Sequence, residues 1–249
     1  MALIHPPKAI EAMRKANRLV AQTFAHVAPM VAPGVTTLAL DKAAEAYIIK
    51  HGALPAYKGY NGFPNTVCVA VNSVICHGIP NATPLNEGDI IGLDIGVIVD
   101  GWYGDACITL PVGTISEKAQ RLLDVTRECM ERGIAAAQPG NRLGDIGAAI
   151  QSHAEANGYS VVREYTGHGI HRVLHDEPTI YHAAKAGTGP VIKAGMIFTV
   201  EPMINIGGHR TVLDRSDGWT VRTADRSLSA QFEHTIAIRE HGPEILSTL

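Results

Sequence analysis

Five side chains of this 249-residue sequence, Asp94, Asp105, His168, Glu201 and Glu233, have the types and surroundings that metal chemistry needs. Each acid is the lone carboxylate of an apolar, strand-like run: IIGLDIGVIV, GDACITL, MIFTVEPM and SAQFEHTIAI. A carboxylate buried in such a run is costly unless a cation neutralises it. No lysine or arginine lies inside these runs. Four carboxylates balance two divalent ions, with room for a bridging hydroxide. Oxygen donors with one imidazole suit Mn, Fe, Co or Zn, and Mg less well. Such ions lower the pKa of bound water and polarise a carbonyl. The donor types are wrong for a thiolate zinc finger. HEXXH is absent, and although His171 and His175 have helical spacing, Gly167 and Gly169 make a poor helix there.

The elements that carry these side chains are legible in outline. Residues 90–110 read as two strands around Asp100-Gly101, a two-residue hairpin signal. With that turn Val99 faces Trp102, Asp94 faces Cys107 and Asp105 faces Gly96. Asp94 and Asp105 are then diagonal neighbours on one face, close enough to share two ions about 3.5–4 Å apart. A turn of odd length would put them on opposite faces. Glu201 precedes Pro202, which predicts extended backbone at a strand end, a good place for a ligand or general base. Glu233 falls in a strand whose Phe232, His234 and Ile236 point the other way. TGHGIHRVLHDEP gathers His168, His171 and His175, and His77 ends an alternating strand.

Around these strands the chain repeats itself. PGVTTLALDKAAEAYIIKHG starts at Pro33, and PGNRLGDIGAAIQSHAEANG starts at Pro139 with the same spacing to a closing glycine. Leu40, Ala44, Tyr47 and Ile48 fit one helical face, as do Leu143, Ile146, Ile150 and Ala154. The closing glycine suits a helix C-cap. Each repeat follows another helical stripe, Ile10 to Val27 and Ala119 to Met130, the second with Ser116 as N-cap. Strands follow each pair. The expected fold is therefore α+β: two pseudo-symmetric halves, roughly 1–112 and 113–249, forming one catalytic domain. Their strands join in one curved sheet with helices outside and a site between the halves.

Composition bounds the partners. The chain is 46% hydrophobic and 18% charged, with net charge −3 and no basic stripe, which argues against nucleic acid or an anionic membrane. No apolar run reaches membrane-spanning length. The N-terminus MALIHPPKAIEAMRK lacks the pattern of a secretory signal. Cys68, Cys76, Cys107 and Cys129 form no CxxC pair and read as reduced, buried thiols of a cytoplasmic protein.

NGFPNTVCVAVNSVICHGIP, GDIIGLDIGVIVDGWYGDA, TGHGIHRVLHDEP, MIFTVEPM and DGWTVRTADRSLSAQFEHT resemble the short, bacterial-type methionine aminopeptidases. The resemblance spans nearly the whole chain, with all five donor positions in order. It implies the two-half pita-bread fold, without an N-terminal extension, and removal of N-terminal methionine, preferably before small second residues. It implies that Asp94 holds one metal, that Asp105 and Glu233 bridge both, and that His168 and Glu201 hold the other. Glu201 would also carry the proton of the attacking water. His175 would steady the tetrahedral intermediate and His77 would contact the first peptide unit. Tyr60, Phe63, Cys68, Leu174 and Trp219 match the apolar pocket for methionine. Asn72, Val74 and Ser229 match a peripheral Na or K site.

The sequence departs from the common family pattern at four positions. Tyr57 stands where Cys is frequent, Phe63 where Tyr is frequent, Leu174 where Phe is frequent and His171 where Gly is frequent. These keep the pocket apolar but alter its depth or rim. The expected partner is the nascent polypeptide N-terminus, compatible with transient ribosome proximity, and the expected state is a monomer. Two other readings are open. A proline-directed relative would carry a large additional N-terminal domain, and a non-enzymatic binding protein would lack one or more donors.

Overall fold

The computed structural model describes residues 4–249; the N-terminal reading rests partly on residues 1–3, which lie outside them. The first half begins with helices α1 (Pro7–Val27) and α2 (Thr37–Lys50). Strands β1 (Leu54–Pro55), β2 (Val67–Val71), β3 (Val74–Cys76), β4 (Ile90–Val99) and β5 (Trp102–Pro111) follow. The second half repeats the plan with α3 (Glu117–Ala136) and α4 (Leu143–Ala156). Its strands are β6 (Ser160–Val161), β7 (Gly167–Gly169), β8 (Asp176–Ile180), β9 (Ile197–Val200), β10 (Met203–Asn205), β11 (Thr211–Leu213), β12 (Val221–Thr223), β13 (Ser229–Gln231), β14 (Glu233–Arg239) and β15 (Gly242–Ile245). Among the described residues no helix is long and apolar enough to cross a membrane.

Both copies of the repeat end in the same hydrogen-bonded cap. After α2, Gly52 N donates to Ile49 O and Ala53 N to Ile48 O; after α4, Gly158 N donates to Glu155 O and Tyr159 N to Ala154 O. This paired pattern closes a helix through a left-handed residue, which is why glycine stands at both positions, with φ of 74° and 78°. Ser116 caps α3 as expected, its Oγ accepting from Ala119 N at 3.2 Å.

The strands do not all join one sheet. A nine-stranded antiparallel sheet runs β1-β4-β5-β14-β9-β7-β8, with β2 on β4 and β15 on β14, and two three-stranded sheets accompany it. The halves meet where β5 pairs with β14. Alternation then sorts the side chains. Ile91, Leu93, Ile95 and Val97 of β4 pack with Leu40, Ala44 and Ile48 of α2 and Val20 of α1. Phe198, Val200, Ile236 and Ile238 pack with Leu122, Met130 and Ile150 of α3 and α4. Each half thus has an apolar core on the helical side, and the intervening residues face inward.

Candidate metal centre

Register brings the five donors onto that inner face. The β4–β5 hairpin turns at Asp100-Gly101, whose φ values of 51° and 76° are those of a tight two-residue turn. Val99 pairs with Trp102, Asp94 with Cys107 and Gly96 with Asp105, as the turn predicts. Glu233 of β14 pairs with Cys107 from the other side. Directly paired residues of an antiparallel sheet point to one face, so Asp94, Cys107 and Glu233 form one row. Thr235 pairs with Thr199, and one further step along that register sets Glu201 beside Glu233. In the next row lie Asp105, Thr235 and Thr199, and His168 N donates to Thr199 Oγ1 at 2.9 Å. Two adjacent rows across five strands therefore supply all five side chains.

They line a cavity of about 290 Å³ together with Tyr57, Tyr60, Asn61, Phe63, Cys68, His77, Leu174, His175 and Trp219. Asp105 and Glu233 are each 3% exposed and Glu201 is 7% exposed. One ligand atom each of Asp105, His168 and Glu233 lies within 4.8 Å of the others. Burial pushes all four carboxyls up, Asp94 to about 7 and Glu201 to about 8. Asp105 and Glu233 rise well above the usual range, first by burial and then by neighbouring carboxylates. Among the described residues, the ion-pair contacts of this group are those of His168 alone. Glu233 Oε1 is buried without a hydrogen-bond partner. A carboxylate oxygen so placed requires a proton or a cation. The donor set, the orphaned oxygen and the lack of a basic partner fit divalent metal.

The surroundings orient the donors. His168 is held neutral, down to about 3, first by burial and then by His175. Its Nδ1 lies 3.1 Å from Gly169 O. With the proton donated there, the lone pair is on Nε2, which faces Glu201 Oε1 at 3.5 Å and Asp105 Oδ2 at 3.9 Å. Glu201 accepts from Thr199 Oγ1 at 2.6 Å and from Gln231 Nε2 at 3.3 Å. Its own N–H donates to His182 Nε2 at 3.2 Å. Burial brings His182 down to about 3, keeping that nitrogen an acceptor. Asp105 is fixed through its backbone, N–H to Asn17 Oδ1 and C=O from Thr235 Oγ1. Thr199, His182, Gln231 and Asn17 are neutral partners; Thr199 and Gln231 lie within the quoted runs MIFTVEPM and SAQFEHTIAI but were not singled out there, and His182 and Asn17 lie outside them.

The remaining expected residues divide into two groups. His175 Nδ1 contacts Tyr60 Oη at 2.8 Å, and its ring stands 4.3 Å from that of His168. His77 follows β3 with φ of 56°, its ring edge-on to Trp219. Burial, then His175, lowers His77 to about 4. Phe63 packs edge-on against Trp219 at 5.2 Å. The loop carrying Tyr60 and Phe63 is tied to α2, where Asp41 accepts from Thr66 N and Val67 N at 2.9 Å. Leu174 and Cys68 complete the apolar wall, in one cluster with Phe63 and Tyr57. His171 turns away from the cavity and contacts Asp176 at 2.6 Å. Asn72 and Ser229 are neighbours, Ser229 N donating to Asn72 O, with Val74 two residues on. Ser229 Oγ is buried without a partner, while the Asn72 side chain is engaged with Asp89 and Ile90 N.

Known proteins share this sequence and architecture. Residues 11–240 match the family model of metallopeptidase family M24. A methionine aminopeptidase of Rickettsia prowazekii is 51% identical over 244 residues, 98% of this chain and 94% of the relative. Methionine aminopeptidase A of a Synechocystis species is 54% identical over 239 residues, 96% and 94%. The crystal structure of the Rickettsia prowazekii enzyme superimposes with a TM-score of 0.98, covering 99% of this chain and all of that one. A prolidase from Pyrococcus furiosus, 21% identical, superimposes with a TM-score of 0.82 over all of this chain and 66% of that one, and shows the pita-bread fold alone. This chain belongs to metallopeptidase family M24.

Proposed function

We propose that this protein removes N-terminal methionine from nascent polypeptides by metal-dependent hydrolysis. One observation carries the reading: four buried or half-buried carboxyls and a neutral imidazole converge on a cavity whose other wall is apolar. Asp94 would hold one divalent ion and His168 and Glu201 another, with Asp105 and Glu233 as donors common to both. Such ions, Co, Mn, Fe or Zn, would supply an acidified water and a polarised scissile carbonyl.

Glu201 takes a proton from the attacking water as the new C–O bond forms. It passes that proton to the amine nitrogen as the C–N bond breaks. Thr199 and Gln231 hold its carboxylate in place for both transfers. His175, tethered to Tyr60, lies beside His168 and donates to the developing tetrahedral oxyanion. His77 contacts the first peptide unit. Tyr60, Phe63, Cys68, Leu174 and Trp219 enclose the methionine side chain, an unbranched thioether that suits an aromatic wall. Asn72, Val74 and Ser229 would hold a peripheral Na or K, for which the unpartnered Ser229 hydroxyl is the support. We read residues 1–249 as one catalytic domain of a cytoplasmic monomer that acts near the ribosome.

Release of free methionine from a Met-Ala peptide tests this, after chelation and after return of Mn, Co, Fe or Zn, with an Ala-Pro peptide alongside. Metal-dependent cleavage of Met-Ala alone is expected. Cleavage of Ala-Pro alone would transfer the activity to the proline-directed relatives, and no cleavage by folded protein would leave a binding protein.

A further inference from the structure

The side chains that line the cavity do not all lie on strands. Leu174 and His175 belong to the turn between β7 and β8, an irregular segment over 170–175. Leu174 is buried, while Arg172, Val173 and His175 are exposed. The turn is closed at its base, where the His171 and Asp176 side chains meet at 2.6 Å and His171 N donates to Val173 O. Two further contacts tie it to the other half of the molecule. Tyr103 N, near the tip of the β4–β5 hairpin, donates to His171 O at 2.8 Å. The Arg172 guanidinium lies over the Trp102 indole, 4.4 Å from the ring centroid. Among the described residues Arg172 makes no ion pair, so the indole face is its partner. A planar, weakly hydrated guanidinium suits that face better than an ammonium does. The hairpin tip also leaves it room: a Cβ at Gly101 would stand 3.3 Å from Arg172 Nη1. Trp102 in turn packs against the apolar cluster that contains Leu174.

We propose that Arg172, stacked on Trp102, is a positioning residue: it clasps the β7–β8 turn to the first half and so fixes His175 at the cavity. The inference rests on the proposed function, in which His175 donates to the developing oxyanion. His175 is exposed, and among the described residues its side chain has one hydrogen-bond partner, Tyr60. A single bond at the ring sets a distance but leaves the backbone beneath it free to swing. The clasp, three residues upstream, removes that freedom. Misplacing a reacting group by about 1 Å can cost about 100-fold in rate. The tip that receives Arg172 belongs to the same hairpin that registers Asp94 and Asp105. The clasp therefore sets the oxyanion donor of one half relative to the carboxylates of the other.

The test compares wild type with Arg172→Ala, Arg172→Lys and Trp102→Phe, each checked for folding by circular dichroism. Hydrogen exchange at the Tyr103 amide reads the clasp without reference to activity. Values of kcat and KM on Met-Ala at saturating cobalt read the positioning. Arg172→Ala is expected to speed Tyr103 exchange at least about tenfold. It is expected to lower kcat about 10–100-fold, with a smaller change in KM and the same bound cobalt per chain. Arg172→Lys should behave alike, and Trp102→Phe, which keeps an aromatic face, should retain most of the activity. In a His175→Ala background Arg172→Ala should cost nothing further, because its loss runs through His175. Unchanged Tyr103 exchange in Arg172→Ala would overturn the clasp. Faster exchange with full kcat, or an undiminished loss in the His175→Ala background, would overturn the positioning role. Should Arg172→Ala not fold, Arg172→Lys carries the same comparisons. Wild type that releases no methionine with any metal would overturn the proposed function and the positioning role with it, and Tyr103 exchange tells that failure from failure of the clasp.

Discussion

The two halves of this molecule start from the same plan and present their site residues in different ways. Each opens with a helix pair, and α2 and α4 end in matching caps at Gly52 and Gly158. The first half then delivers Asp94 and Asp105 on one ten-residue hairpin, registered by its own turn. The second delivers His168, Glu201 and Glu233 on or beside β7, β9 and β14, of three, four and seven residues, registered by pairing across the sheet. Their surroundings differ too. In the first half the carboxylates meet a phenol, at Tyr57. In the second, Thr199, Gln231 and His182 leave Glu201 oriented and its neighbour His168 with a free lone pair. A duplicated scaffold can thus hold unequal chemistry: in the proposed function Glu201 of the second half would move the proton, while both halves contribute carboxylates and pocket wall.

The strongest way to break that asymmetry is to change one carboxyl from each half. Glu201→Gln keeps the shape and the Thr199 contact but removes the proton acceptor. It is expected to lower kcat by about 10²–10⁴-fold at saturating metal. Asp94→Asn is expected to cost about 10–100-fold, mainly recoverable by added metal, since it weakens a position rather than the proton path. Steady-state kinetics on Met-Ala over a metal series separates them. An Asp94→Asn loss as large as that of Glu201→Gln, and insensitive to metal, would make the halves equivalent.

Acidity offers a second probe. Asp94 is raised to about 7 and Glu201 to about 8, against about 4 for an ordinary carboxyl. An acid raised on folding binds more protons folded than unfolded between those two values. Stability of the metal-free protein must therefore fall as pH rises from about 4 to about 8, by a few kcal/mol. Bound metal replaces those protons, so the gap in Tm between metal-loaded and chelated protein should widen from pH 5.5 to pH 8. Melting curves at both pH values decide it. A gap that narrows with pH would mean that the carboxylates are neutralised by something other than metal.

How much was legible follows the same division. The hairpin pairing could be read residue by residue because a two-residue turn sets register locally, and Gly96 opposite Asp105 was visible for the same reason. The repeat was visible because Pro-Gly and the closing glycine are required by backbone conformation. The acidic donors of the second half, Glu201 and Glu233, could be recognised by type, as lone acids in apolar runs, and His168 by its place in a histidine-rich segment. Their partners could not, since the pairings of Thr199 with Thr235 and of Glu233 with Cys107 depend on strands that meet only in the folded protein. His182 and Gln231 were hidden for that reason. Tyr57 could be seen as unusual, but its contact with both aspartates depends on the ring passing Gly96. The division of strands among three sheets was equally unmarked, because three-residue strands carry too little periodicity.

The smallest effect tests the scaffold itself. A Cβ added at Gly52 or Gly158 would have no neighbour within 4 Å, so alanine there meets nothing and the cost is conformational alone. Both hold a left-handed φ, for which an L-residue loses about 1 kcal/mol relative to glycine. Gly52→Ala and Gly158→Ala should therefore destabilise the protein by the same amount, and the double variant by about twice as much, since the two caps share no partner. Methionine release should be unchanged in all three. Urea midpoints at constant m report this directly. Unequal losses would show that one copy of the cap is supported by its half in a way the other is not, and that the likeness of the two scaffolds stops at their geometry.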